Sequence, residues 1–476
     1  MKRDNALSMA QFDRATGAVV GMAVGNALGA GYAFEPRPRP DDVHLRGGGL
    51  GSYAAGEWVD DTAMAIPILR VLAAGGDLTS AEAQNEVVAG WVQWRATTAD
   101  VAPVIAAVLD DYDPDRGAAS VLQAALARYA QAPAGSPGNA SLMRTTPVVL
   151  GYLHDPDELA RASRLYSELT HAHPEAGDAC VLWNQAQRHA ILHGEFDLVV
   201  GLPWIPVERQ SLWARVITQA EVGMPEDFAV RNGWVSQVVQ TAWSAITHCE
   251  VPGPEHVEAA LRMTVAAGGD TATVAAVAGG LLGARWGVSA LPLEWRRRVF
   301  GWPGYRDGDL QRDVFNALSS QPWPAGVGSG PGVVVPLPAD AAVLLGDVAG
   351  LQQLPPEVDA VVSLCRLGSD GRLLPAWVAD EGHVSVWLRD SPVAADNPNL
   401  ELVARDAVDM IARFRDQGRT VFVHCDDAAS RTPFIAALYA ATRDGFNAMT
   451  AFQDLADVLP HIRPNPAFER CLSQYG

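Results

Sequence analysis

Between Ala15 and Phe34 the chain is apolar, and within this run glycine returns every fourth residue, at Gly17, Gly21, Gly25 and Gly29. Positions four apart share one helix face, so the run carries a stripe without side chains against which another backbone can lie closely. In a membrane such a stripe marks helix dimerisation, and in a helical soluble protein it marks a buried central helix. Lys2 and Arg3 precede the run in the manner of a signal peptide, but Asp4, Asp13 and Arg14 argue against both a leader and a span. No other segment is long enough to cross a bilayer. The expectation is a buried helix inside a mainly helical domain.

Helical periodicity continues to about residue 300, with apolar residues three and four apart, as in Val87, Val88, Trp91 and Trp94 or Val101, Ile105, Val108 and Leu109. Between about 301 and 335 the texture changes to GWPGYRDGDL and WPAGVGSGPG, which is too rich in Gly and Pro to sustain a helix. Beyond it, β-branched runs at Val358 to Leu364, Val384 to Leu388 and Thr420 to Val423 alternate with helical stretches at Leu400 to Asp416 and Pro433 to Thr442. That alternation suits a parallel sheet. A length of 476 residues accommodates two to four domains. The boundaries expected are an all-α domain over 1–305, a Gly/Pro-rich linker over 306–338 and a smaller α/β domain over 339–476.

A net charge of −20 repels phosphates and anionic lipid, which excludes a bulk nucleic-acid binder and a membrane-surface protein. The five cysteines are an odd number with no Cys-x-x-Cys pair, and they fit a reducing cytoplasm.

Two acidic motifs open helical stretches in the first half. GEWVDDTAMAI places Asp60 and Asp61 side by side, and AAGGDTATVAAVAGG places Asp270 ahead of Thr271 and Thr273. Aspartate at a helix start caps free N–H groups, so capping alone explains either motif. Two such starts brought together would also supply the carboxylate and hydroxyl oxygens that Mg²⁺ or Mn²⁺ prefers. The residues leave both readings open.

GNALGAGYAF, GEWVDDTAM, PGNASLMRTTP, LTHAHPEAG and GGDTATVAAVAGGLLGARWG follow one another in the order found in the ADP-ribosylglycohydrolase family, which the first 300 or so residues resemble. The resemblance implies an orthogonal all-α bundle and hydrolysis of the N- or O-glycosidic bond of an ADP-ribosylated protein or small molecule. It implies metal ligation by Asp60, Asp61, Asp270 and Thr273, and an ADP-ribose cleft lined by Gly138, Asn139, Ser141 and Met143 with His171 and His173 nearby. The family commonly carries Gly-Asp-Ala-Leu-Gly followed by a glutamate, a Thr-Asp-Asp triplet and Asp-Thr-Asp-Thr. Asn26, Ala33, Val59 and Ala272 stand at the departures. Val59 and Ala272 each remove a metal-binding oxygen, so one cation is expected rather than a pair. Glu35 is either a substitute for the missing glutamate at Ala33 or a surface residue.

Near the other end, RTVFVHCDDAASRTPFIAALYA contains Cys425, five residues and Arg431, between a β-branched run and a helix. The bare spacing is weak, but a helix N-terminus beside the sulfur favours thiolate and anion. From about Val343 the chain resembles the dual-specificity cysteine phosphatases. The resemblance implies Cys425 as nucleophile, Arg431 as phosphate clamp, Ser430 as the hydroxyl assisting thiolate departure and Asp390 as proton donor. Ala428 replaces the usual glycine, and Asp426 and Asp427 either point inward, opposing a phosphate dianion, or outward. The function expected is an ADP-ribosyl hydrolase with an appended domain that takes a phosphorylated substrate. The alternatives are an ADP-ribose-binding pseudoenzyme with a degraded metal site, and a chain whose phosphatase is its one active centre.

Overall fold

The computed structural model describes residues 7–98, 100–133, 135, 137–319, 321, 332–367, 374–445, 447–459, 461–463 and 465–474. The chain divides into two compact units, one mainly Gln11–Leu291 with Arg298–Ser320, the other mainly Pro292–Arg297 with Gln321–Gly476. Among the described residues no helix is long and apolar enough to cross a membrane.

The first unit is built around the glycine stripe. Met9–Ala30 is one helix, buried without interruption from Ala15 to Ala30. It lies antiparallel against Thr271–Trp286, whose residues are buried from Thr271 to Ala284. A Cβ on Gly17, Gly21, Gly25 or Gly29 would stand under 3.0 Å from the carbonyl oxygens of Gly283, Gly279, Ala275 and Thr271 respectively, and Gly279 and Gly283 face the first helix in the same way. Two backbones therefore touch at four points over more than three turns, a closeness that a Cβ at those glycines would prevent. This contact puts the C-terminal end of the first helix beside the N-terminal end of Thr271–Trp286. Trp183 fixes the second helix from another side by donating its indole N–H to the Val277 carbonyl at 3.2 Å.

The expectation of no helix between 301 and 335 does not hold. Gly301, Pro303 and Gly304 form a tight hairpin joining β1 (Phe300–Gly301) to β2 (Tyr305–Arg306), and Asp307–Leu318, with Gly308 in its first turn, is helical immediately after it. Asp309 starts that helix by accepting the Arg306 N–H at 2.9 Å, and Leu310 and Val314 are buried on its inner face. A local cap outweighs the average composition of the window. Residues 320 and 322–331 of the expected linker lie outside the described residues.

The second unit holds a five-stranded sheet of β3 (Val334–Leu337), β4 (Asp340–Asp347), β5 (Val358–Ser363), β6 (His383–Ser385) and β7 (Thr420–Cys425). The strand order is β3-β4-β7-β5-β6, with β3 antiparallel to β4 and the remaining pairs parallel. Strand β3 lies within the expected linker, because its Val-Val-Pro-Leu run pairs at the sheet edge. Helices Leu400–Asp416 and Arg431–Asp444 cover the sheet and bury Ile411, Phe414, Phe434 and Ile435. The strand expected from Val384 to Leu388 ends at Ser385, since the Leu388 N–H turns back to the Val386 carbonyl at 3.0 Å. Strand β7 is central, and Cys425 at its end sits opposite Asp347 in register.

Candidate functional site

The meeting of helix ends in the first unit creates an acidic cleft. Helix Asp60–Ala73 begins there, capped by a side chain from a different helix: Asn26 Oδ1 accepts the Val59 N–H at 2.9 Å and the Thr62 hydroxyl at 3.0 Å. The amide of the same Asn26 donates to Asp61 Oδ2 at 2.7 Å. Asp61 is fully buried, and among the described residues its Oδ1 has no hydrogen-bond partner. Asp270 caps the Thr271–Trp286 helix and accepts the Asn139 amide at 2.7 Å. Asn139 also donates to the Asn232 carbonyl at 3.0 Å, so the Gly138-Asn139 turn is tied to the helix start it serves.

These carboxylates feel one another. Burial, then Asp270, pushes Asp60 up to about 7. Burial and then the charges of Asp60 and Asp270 raise Asp61 well above the usual carboxylate range, with Thr273 pulling the other way. Burial also raises Asp270. The cleft above them is about 250 Å³, with Asp60, Asp270, Thr273, Asn139 and Met143 in its wall. Asp100, Tyr53 and Phe34 also line it, and of the three only Phe34, the last residue of GNALGAGYAF, belongs to a sequence motif singled out above. Tyr53 donates its hydroxyl to Asp100 at 3.0 Å, and Phe34, 63% exposed with φ of 60°, stands at the mouth.

Several expected cleft residues take other positions. Ser141 is buried and accepts the Ser167 hydroxyl at 2.9 Å, so it turns into the core rather than into the cleft. Glu35 is exposed and outside the cleft wall, where the backbone turn at Phe34 presents the aromatic ring in its place. His171 is buried behind Gly138, on which a Cβ would stand 3.2 Å from His171 Nε2. Burial and the nearby Arg144 lower its pKa to about 3, so the imidazole is neutral. His173 caps the helix Pro174–His193 by accepting the Glu175 N–H at 3.2 Å.

The second unit presents its own constellation at the end of β7. The loop from Cys425 to Ser430 leads into helix Arg431–Asp444, so Arg431 occupies the first helical position. Cys425 is fully buried, and Ala428 adopts φ of 58°, the left-handed conformation that glycine takes without strain. Arg431 donates to the carbonyls of Leu364 at 2.8 Å and Leu388 at 3.3 Å and pairs with Asp426, while its Nε has no partner among the described residues. Burial works against this cation, but Cys425 and Asp426 outweigh it and hold its pKa up. Both acidic residues are exposed, and each makes a contact within the loop: Asp426 with Arg431, while Asp427 Oδ1 accepts the Ala429 N–H at 3.1 Å and lies 3.9 Å from Cys425 Sγ. Ser430 donates its hydroxyl to Asp390 at 2.8 Å, and Asn465 donates to the same oxygen at 3.0 Å.

The model of the ADP-ribosylglycohydrolase family matches residues 7–323. The chain belongs to that family. Its relatives include the ADP-ribosylarginine hydrolase Tri1 of Pseudomonas putida, 29% identical over 291 residues that cover 60% of this chain and 74% of the relative. The ADP-ribosyl-[dinitrogen reductase] glycohydrolase of Rhodospirillum rubrum is 28% identical over 292 residues, 60% of this chain and 90% of that protein. A solved ADP-ribosylglycohydrolase-related protein complex superimposes with a TM-score of 0.50 at 26% identity, covering 65% of this chain and 98% of the solved one. The catalytic domain of the dual specificity phosphatases matches residues 378–476. The protein is thus an ADP-ribosylglycohydrolase-type hydrolase with an appended phosphatase-type domain.

Among the described residues no group of three or more His, Cys, Asp and Glu side chains is arranged to hold a metal ion. Asp61 Oδ1 is a buried oxygen without a hydrogen-bond partner among the described residues, and the carboxylates of Asp60 and Asp270 both disfavour its charge. Val59 and Ala272, the two departures that each remove a metal-binding oxygen, form a small apolar cluster with Ala30, and Tyr53 packs against it. Methyl groups there offer a cation nothing to bind. Ala272→Asp is expected to tighten Mn²⁺ binding by about tenfold or more, the order expected of one added charge-assisted ligand, as checked by titration calorimetry.

Proposed function

We propose that the helical unit hydrolyses the glycosidic bond joining ADP-ribose to an arginine side chain of a protein or small molecule, using one Mg²⁺ or Mn²⁺ held by Asp60, Asp61, Asp270 and Thr273. The observation that carries this reading is the convergence of two acidic helix starts, with an orphaned buried oxygen between them, in a member of this family. A bound divalent cation would supply charge neutralisation and Lewis acidity. The chain's own residues do the rest. Asn26 orients Asp61, and Asn139 orients Asp270. The acidic floor complements the positive charge that develops on the ribose carbon as the bond breaks, and it suits a guanidinium leaving group. Met143, Val59, Ala272 and Phe34 form an apolar wall that limits water. The arginine acceptor draws further support from the Pseudomonas putida relative, named for that substrate. A cytoplasmic setting belongs to the same reading and rests on the five cysteines, all free. Release of ADP-ribose from an ADP-ribosylated arginine protein with added Mn²⁺ tests it, and no release by well-folded protein overturns it.

For the appended unit we infer phosphoester hydrolysis. Cys425 Sγ attacks phosphorus, the bond to the leaving oxygen breaks, and Asp390 supplies the proton that oxygen takes. Water then cleaves the thiophosphoryl bond and regenerates the sulfur. Support comes from Cys425 at the end of β7 with Arg431 at the start of the helix that follows, and from Ser430 and Asn465 converging on Asp390. Cys425→Ser is expected to lower turnover of 4-nitrophenyl phosphate at least ~10³-fold, since the oxygen nucleophile is far weaker than thiolate. Retained activity in that variant would sink the assignment.

A further inference from the structure

The guanidinium of Arg431 is 8% exposed as a residue, and its hydrogen-bonding edges are spoken for unevenly. Nη1 faces the protein and donates to the Leu364 and Leu388 carbonyls. Nη2 faces the loop and carries Asp426, and Nε is left without a partner. A phosphoryl group held by arginine takes two parallel N–H groups from one edge of the fork. Here the edge made of Nη2 and Nε is half occupied by a carboxylate, and the other half is empty. The Asp426 side chain is itself 64% exposed, so it can swing out to solvent. Asp427 carries the same charge in the same loop, but its oxygen engages the Ala429 N–H and the Cys425 sulfur instead of Arg431.

We propose that Asp426 is an internal stand-in for the phosphoryl group: its carboxylate occupies the Arg431 edge that a phosphate monoester needs, and substrate enters only by displacing it. This deepens the phosphatase reading and rests on it. The device raises the threshold for binding. A ligand with one negative charge offers Arg431 little more than Asp426 already gives. A dianion brings twice the charge to the same edge, with an oxygen for the orphaned Nε, and can win the exchange. The loop is therefore selective for doubly charged phosphate monoesters over singly charged diesters, and its affinity for phosphate is set below that of a loop with a neutral residue at 426.

The test uses the full chain and inorganic phosphate as probe, with affinity measured by titration calorimetry for wild type, Asp426→Asn and Asp427→Asn. Asp426→Asn keeps the shape, sits at an exposed position and removes the competing charge. Phosphate affinity is expected to rise tenfold or more in Asp426→Asn and no more than threefold in Asp427→Asn, the share that general repulsion in the loop accounts for. The KM for 4-nitrophenyl phosphate is expected to fall in parallel. In an Arg431→Lys background, which keeps a charge but loses the fork, the gain from Asp426→Asn should largely vanish, because interacting groups are not additive. Equal rises in the two aspartate variants, or measurable binding that Asp426→Asn leaves unchanged, overturns the stand-in while leaving the phosphatase reading in place. Phosphate binding by none of the proteins, with normal unfolding transitions, overturns both.

Discussion

Asp61→Ala is expected to reduce ADP-ribose release at least ~10³-fold, on the scale of removing a principal electrostatic group from an active site. Asp61 is the one member of the cluster that lies wholly below the cleft surface with an oxygen left over. Its loss removes the deepest negative charge, and with it the strongest reason for a cation to enter. The variant also strands the Asn26 amide, a buried donor whose only acceptor is Asp61 Oδ2 among the hydrogen bonds described. An unpaired buried amide costs about 1–3 kcal/mol, so a lower melting temperature accompanies the loss. Asp61→Asn separates the effects, because it fills the same volume and retains an oxygen toward Asn26. It should recover much of the stability and little of the activity. Mn²⁺ affinity measured alongside distinguishes a failure to bind the cation from a failure to fold. Near-normal turnover in Asp61→Asn would remove this carboxylate from the proposed chemistry.

How far the sequence reveals such a site depends on whether the relevant signal is local. Asp60 and Asp270 sit at helix starts, and Gly17 to Gly29 recur at helical spacing, so both are visible in short windows. That the two helix starts share a cleft follows from one long-range fact, the antiparallel contact between Met9–Ala30 and Thr271–Trp286. Asn26 reads as a departure from the family pattern, yet it caps a helix that begins 34 residues later, and no local cue exposes that. Tyr53, Asp100 and Phe34 reach the cleft from loops, which carry no periodicity to extrapolate. Ser141 lies inside a recognisable motif but turns inward, because a motif fixes residue identity and not the side on which a hydroxyl finds its partner. The helix Asp307–Leu318 escapes a composition window that averages it with the glycines just before it. In the phosphatase-type unit the loop is legible as strand, Cys425, Arg431 and helix. The choice of Asp426 over Asp427 for Arg431 is a matter of backbone direction, and Ala428 with its positive φ helps set that direction.

The same glycine stripe yields the largest stability prediction, and two substitutions to alanine have opposite signs. In a helix interior Gly→Ala gains up to about 1 kcal/mol from backbone entropy alone. Gly308, exposed in the first turn of Asp307–Leu318, has nothing within 4 Å of a new Cβ, so Gly308→Ala should raise stability by about 0.5–1 kcal/mol. At Gly25 the new methyl would be driven into the Ala275 carbonyl oxygen, which is backbone and cannot rotate away. The helices would have to separate along the whole contact, since Gly21 and Gly29 are locked against Gly279 and Thr271 in the same way. Overpacking of this kind costs about 1–3 kcal/mol where side chains can yield, and more where they cannot. A loss of about 4 kcal/mol or more is therefore expected for Gly25→Ala, outweighing the helix-propensity gain. Denaturant midpoints of the first unit's transition check both values. Because Asn26 follows Gly25 directly, displacement of the first helix also withdraws the cap from Asp60–Ala73 and the hydrogen bond from Asp61. ADP-ribose release should accordingly fall in Gly25→Ala even at temperatures where the unit remains folded, and it should be unchanged in Gly308→Ala.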